Sequence, residues 1–231
     1  MTLAAIHRDT ATNERDQVLA MFNVSRETAS RLDRFVDLLL TWQIHTNLIA
    51  SSTIPNLWMR HIADSLQLLD LAPTASKAAG PVWVDIGTGG GFPGVVLACA
   101  LADVPGACVH MIESSTKKGA FLREAVDATG TPGIVHVGRA EDLSPSLAPV
   151  VDVVTARAVA PLKVLLGLVA PFIKKGAQAL LLKGQDVDVE LTEATKYWNI
   201  VAERVPSKTN PAARILIVRD LAPRKTPPTK G

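Results

Sequence analysis

One stretch limits the fold of this chain more than any other: Val82 to Ala98, VWVDIGTGGGFPGVVLA. An apolar run meets an acid, five glycines fall between Gly87 and Gly94, and the chain turns apolar again. Such a pattern reads as a buried strand, a tight turn and a helix, the unit that opens an α/β sheet. Because glycine has no Cβ, the turn lets the backbone pass close beside a bound molecule. Five glycines are more than a bare strand-to-helix turn needs, which points to a ligand.

The rest of the chain fits that unit. Strands are expected at Val82 to Ile86, Cys108 to Glu113, Ile134 to Gly138, Asp152 to Ala156, Ala179 to Lys183, about Ile200 to Val205, and Arg214 to Arg219. Helical stretches such as TKKGAFLREAVDA and PLKVLLGLVAPFIKK lie between the early ones. Apolar strands alternating with helices predict an α/β fold with a mostly parallel sheet of about seven strands, covered on both faces. In such a sheet ligands sit beyond the carboxyl ends of the strands, near the point where strand order reverses.

Ahead of the sheet no strand pattern occurs. Leu32, Phe35, Val36, Leu39 and Leu40 stand at helical spacing within Ser25 to Trp42, and IPNLWMRHIADSLQLLDL predicts a second helix after a polar turn at ASST. Small residues and prolines in APTASKAAGP mark a boundary. The expected organisation is a helical cap over 1–80, a core over 81–222 and a basic, proline-rich, disordered tail over 223–231.

Composition narrows the class. With 231 residues, 48% of them apolar, the chain has enough material for one full core and an appended subdomain. No apolar run approaches the roughly 18 residues of a membrane span, and the N-terminus lacks the basic start and long apolar region of a secretory signal. A cytoplasmic protein without a membrane partner is therefore expected. Cys99 and Cys108 have no His, Cys or acidic neighbours at metal-ligand spacing, so both are expected in the core and no metal is expected. A net charge of +2 permits an RNA partner without arguing for one.

The glycine turn contains a G-x-G-x-G match (Gly87, Gly89, Gly91) and a G-x-G-x-x-G match (Gly89, Gly91, Gly94). The second is weak evidence for a dinucleotide. Asp85, two residues before Gly87, would repel a pyrophosphate and suits a cationic ligand such as S-adenosylmethionine; its alternative role is to cap the following helix. Pro93 suits the first turn of that helix. Glu113, ending the next strand, can accept both ribose hydroxyls of an adenosine in either kind of ligand.

VDIGTGGGFPG, ESSTKKGAFLREA, GRAED, TARAVAPL and LLLKGQ, preceded by NLIA and RHIADSLQLL, carry a broader likeness. In order and spacing, from about Leu38 to Val218, the chain resembles the bacterial small-subunit ribosomal RNA methyltransferase G family. That resemblance implies a class I, Rossmann-like fold and transfer of a methyl group from S-adenosylmethionine to N7 of one guanine in the decoding region of 16S rRNA, the position usually numbered 527. It implies 16S rRNA or the small ribosomal subunit as partner, and no protein partner. By the same resemblance Gly87 and Phe92 contact the donor, Ala140 and Glu141 frame its adenine, and Arg157 lies in the site.

Guanine N7 has an in-plane lone pair and no proton to lose, so its attack on a sulfonium methyl needs no general base; alignment and charge dispersal carry the rate. The sequence lacks an N/D-P-P-Y/F loop after the fourth strand, and NPAA at Asn210 is elsewhere and incomplete. Neither cysteine is placed for attack on a pyrimidine. Arg157 is the leading substrate-side residue, able to hold a phosphate or guanine O6, its alternative being an ion pair with Glu141 or Asp142. Lys117, Lys118, Arg123, Lys163 and Lys183 are candidates for rRNA phosphates. His61 and Asp64, three apart on the cap helix, either shape the guanine site or stabilise that helix by contact with each other. Trp42 and Trp58 are expected in the cap core rather than on a base. A methyltransferase with a small-molecule acceptor, a nicotinamide-dependent oxidoreductase and a non-catalytic regulator that binds an adenosyl ligand remain the alternatives.

Overall fold

The computed structural model describes residues 13–73 and 80–224. Seven strands form one sheet: β1 (Val82–Ile86), β2 (Cys108–Glu113), β3 (Gly133–Val137), β4 (Val153–Arg157), β5 (Gln178–Lys183), β6 (Trp198–Pro206) and β7 (Arg214–Pro223). Their order is β3-β2-β1-β4-β5-β7-β6. The first five are parallel, as expected, and β7 enters antiparallel between β5 and β6. Order reverses between β1 and β4, so the loops that follow these two strands open side by side at the carboxyl edge.

The helices are α1 (described over 13–21), α2 (Arg26–Gln43), α3 (Asp64–Leu66), α4 (Gly94–Leu101), α5 (Thr116–Thr129), α6 (Ala140–Leu147), α7 (Leu162–Ile173) and α8 (Val187–Ala194). Helix α2 begins where its sequence dictates: the Ser25 hydroxyl accepts the Thr28 N–H at 3.1 Å, satisfying one of the free donors of the first turn. On one sheet face α2, α4 and α5 pack over Trp83, Val109 and Met111. On the other, α6, α7 and α8 cover Val84, Ile86 and Val154. Cap and sheet share the first of these cores, because Leu32, Phe35 and Leu39 of α2 are completely buried in the same apolar cluster as Val95 and Phe121.

The second cap segment is not one regular helix. It runs as a 3-10 turn over Ser51–Asn56, a π-helix over Trp58–Ala63, the short α3, and a further 3-10 turn at Leu69–Leu71. Pro55 cannot donate to a helical ladder, and outside groups take backbone positions that a regular helix would use. The Glu14 carboxylate accepts the Trp58 N–H, and Arg157 donates to the Arg60 carbonyl. Most of the expected boundary segment, residues 74–79, and most of the expected tail, residues 225–231, lie outside the described residues, as do residues 1–12. Strand β7 runs to Pro223, one residue past the expected end of the core.

Candidate active site

After β1 the chain turns on glycines whose reasons differ. Gly87 has φ +68°, and a Cβ there would stand 2.6 Å from a methyl of Val159 in the loop after β4. This position needs glycine twice over, for its backbone and for the contact between the two loops. Gly91 instead makes room for the cap, since a Cβ there would meet the Phe35 ring at 2.7 Å. Part of the glycine content that suggested a ligand is thus required by packing of α2. Pro93 occupies the cap position just before α4 rather than its first turn.

Asp85 requires a correction. The acid expected to face a cationic ligand is 0% exposed and lines neither cavity of this region. One carboxylate oxygen accepts the Gly94 N–H at 3.0 Å and the other accepts the Thr155 hydroxyl at 3.0 Å, so it ties the start of α4 to β1 and β4. Burial pushes its pKa up to about 7. Its value as a discriminator between a cationic donor and a pyrophosphate falls accordingly. Glu113 is also committed locally: one oxygen accepts the Gly89 N–H at 2.9 Å and the other the Ser115 N–H at 2.8 Å. Each oxygen retains a second lone pair, but Glu113 borders neither cavity.

Two cavities meet at Gly87. The larger, about 520 Å³, is bordered by Gly87, Gly89, Phe92, His61, Asp64, Arg157, Lys118 and Lys183 among others. The smaller, about 270 Å³, is bordered by Gly87, Ile112, Ser114, Ala140, Glu141 and Leu168. Most of the expected site residues therefore converge at the switch point of the sheet, on either side of one glycine.

Arg157, the last residue of β4, organises the larger cavity. Its Nη2 donates to His61 Nδ1 at 2.8 Å and its Nη1 to the Arg60 carbonyl at 3.1 Å. The guanidinium carbon stands 5.2 Å from the centre of the Phe92 ring, a cation–π distance. Because Arg157 donates to Nδ1, the His61 proton sits on Nε2, which faces the Thr53 hydroxyl at 2.8 Å; that hydroxyl donates to the Ala50 carbonyl. Burial, with Arg157 and Arg60 adding to it, lowers the His61 pKa to about 3, and the imidazole stays neutral. His61 packs against Phe92 with ring centres 4.8 Å apart and the rings tilted by 31°. The expected contact between His61 and Asp64 does not form. Asp64 instead accepts from the Thr209 hydroxyl and, at 3.1 Å, from the Gln67 amide, and its free oxygen lies 3.8 Å from Arg157 Nη1. The alternative partners of Arg157, Glu141 and Asp142, are not the ones it uses.

The lysines divide. Lys118 borders the larger cavity, whereas Lys117 donates to the His45 carbonyl outside it. Lys183 reaches the cavity but is paired with Glu190 at 2.7 Å, its side chain only 10% exposed, so its charge is neutralised. Arg123 and Lys163 are exposed and line neither cavity. Trp58 is buried in the cap core, and Trp42, packed against that core, donates to Glu124. Cys99 is buried, with its thiol pushed up to about 12, and Cys108 is half-buried.

NPAA falls between β6 and β7 and not after β4, as expected, yet Asn210 and Arg214 also border the larger cavity. Lys183 at the carboxyl end of β5 lies opposite Arg214 at the start of antiparallel β7, so the turn before β7 returns to the functional edge. A sequence pattern gives no sign of that antiparallel insertion. Ala158, with φ +54°, and Thr53 are two further wall residues that were not expected.

Comparison with known proteins bears on the family and the fold. Residues 28–216 match the family model described as rRNA small subunit methyltransferase G, GidB. The chain is 59% identical over 212 residues to the ribosomal RNA small subunit methyltransferase G of Nitrobacter hamburgensis, covering 92% of this chain and 80% of that one. It is 57% identical over 208 residues to the protein of the same description from Bradyrhizobium sp. strain ORS 278, covering 90% and 91%. In fold it is similar to the CMeT domain of the citrinin polyketide synthase (TM-score 0.51, 15% identity, 78% of this chain and 55% of that one). It is likewise similar to a chain of the fibrillarin/Nop5p complex (TM-score 0.50, 12% identity, 69% and 81%). The fold is Rossmann-like, and by sequence the chain belongs to the ribosomal RNA small subunit methyltransferase G family.

Proposed function

We propose that this rRNA methyltransferase binds S-adenosylmethionine across Gly87 and methylates N7 of a guanine in the decoding region of 16S rRNA. The observation that carries the reading is the pair of cavities meeting at Gly87, one walled by Ala140 and Glu141, the other by Phe92 and Arg157. The residues fit the donor. The smaller cavity offers apolar Ile112, Val164 and Leu168 to a flat purine, and the larger offers backbone at Gly87 and Gly89 to a chain that needs close approach. When bound, S-adenosylmethionine supplies an electrophilic methyl on a sulfonium.

The chain's own task is then positional. Arg157, fixed by His61 and the Arg60 carbonyl, has further N–H groups to orient a base or an adjoining phosphate. His61, neutral and hydrogen-bonded at both nitrogens, neither gives nor takes a proton near neutral pH. That suits attack by N7, which releases none. No metal enters the proposed reaction.

The test is chemical cleavage at N7-methylguanine in 16S rRNA from cells with and without the gene, complemented by wild type or by Arg157→Ala. Wild type should restore cleavage at the target guanine. Arg157→Ala should lower methyl transfer about 100-fold, with S-adenosylhomocysteine affinity by calorimetry unchanged within a factor of about three. Complementation that restores growth traits without any N7-methylguanine would overturn the reading.

A further inference from the structure

Asp64 is the sole acid among the described residues that border the larger cavity, in a wall that also holds Arg60, Lys118, Arg157, Lys183 and Arg214. An acid there repels RNA phosphate, and its side chain is only 20% exposed. Its two oxygens are held unequally. Oδ1 accepts from the Thr209 hydroxyl and the Gln67 amide, which fills both of its lone pairs. Oδ2 makes no hydrogen bond to the described residues and faces Arg157 Nη1 at 3.8 Å, too far for one. An acceptor and a donor thus stand side by side in the cavity, each with capacity for a third group.

We propose that Asp64 and Arg157 together read the acceptor base, Asp64 Oδ2 accepting from guanine N1–H and Arg157 donating to guanine O6. This deepens the guanine-N7 reading above and rests on it. Guanine presents a donor at N1 beside an acceptor at O6. Adenine presents the reverse, a lone pair at N1 beside an amino group, so it would meet acceptor against acceptor and donor against donor. N1–H lies on the far side of O6 from N7, so a donor that approaches O6 from the N1 side leaves N7 clear of both side chains for methyl transfer. Thr209 and Gln67 matter because they fix which oxygen is left over, and thereby which edge is read.

The substitution Asp64→Asn has a directional consequence. Thr209 and Gln67 both donate, so the amide oxygen takes the Oδ1 place and the amide nitrogen takes the Oδ2 place, turning the acceptor into a donor. In vitro methylation should be measured on small subunits carrying guanine or adenine at the target position. Wild type should favour guanine by at least about 100-fold, and Asp64→Asn should lower the guanine rate and shrink the guanine-to-adenine ratio by about tenfold or more. Affinity for S-adenosylhomocysteine and the melting temperature report that donor binding and folding persist. A lowered rate with an unchanged ratio, or an unchanged rate, overturns the role of Asp64 and leaves guanine-N7 methylation standing. No N7-methylguanine from wild type removes both.

Discussion

Asp85 titrates in a place where stability reports it. Its folded pKa of about 7 lies above the ordinary 3.8 because burial disfavours the carboxylate. Between those values the folded chain holds a proton that the unfolded chain has lost. The stabilisation is complete below pH 3.8 and is lost as pH rises through about 7. Asn at this position keeps an oxygen for the Gly94 N–H and cannot ionise. Asp85→Asn should therefore gain on wild type as pH rises, its relative melting temperature climbing by about 5 °C between about pH 5 and pH 8; thermal melts at the two pH values check this. The same residue marks a limit of sequence reading. In VWVDI every neighbour is apolar, so no alternation tells which face a side chain takes, and the pleat turned Asp85 under α4 instead of into the cavity. Gly87 and Arg157 stand at strand ends that the parallel order places together, whereas Phe92 was indicated by the family resemblance.

The turn between β6 and β7 is held to the cap by Gln67, which is 1% exposed. Its amide donates to Ser207 Oγ, and its oxygen accepts the Lys208 N–H at 2.9 Å. Gln67→Ala leaves these groups without their partner, which should lower stability by about 1–3 kcal/mol. Amide hydrogen exchange at Lys208 should accelerate along with that loss, and a protected Lys208 would show that the turn holds itself. The seven strands and α2, α5 and α7 were legible from apolar runs, helical spacing and their alternation. The segment from Ser51 to Leu71 was not, since its π-turn depends on Glu14 and Arg157, which reach it from 44 and 97 residues away in sequence. Asn210 and Arg214 escaped for a similar reason: their place follows from β7 slotting between β5 and β6, a pairing that no local pattern records.

At the level of the whole molecule, cap and sheet share one apolar core at Phe35, whose ring centre lies 5.3 Å from that of Phe92 and 6.3 Å from that of Phe121. Phe35→Ala should cost about 3–5 kcal/mol, and a single melting transition, shifted down without splitting, should report it. Two separate transitions would mean that the cap folds alone. The packing of α2 against Gly91 gives the molecule an unusually wide mutational target. Any change that displaces α2 also displaces the loop carrying Gly89 and Phe92, so a genetic screen for lost methylation should return substitutions along the buried stripe of α2 as well as in the glycine turn. Variants at Leu32 or Leu39, remote from either cavity, would then be inherited as defects in the modification itself.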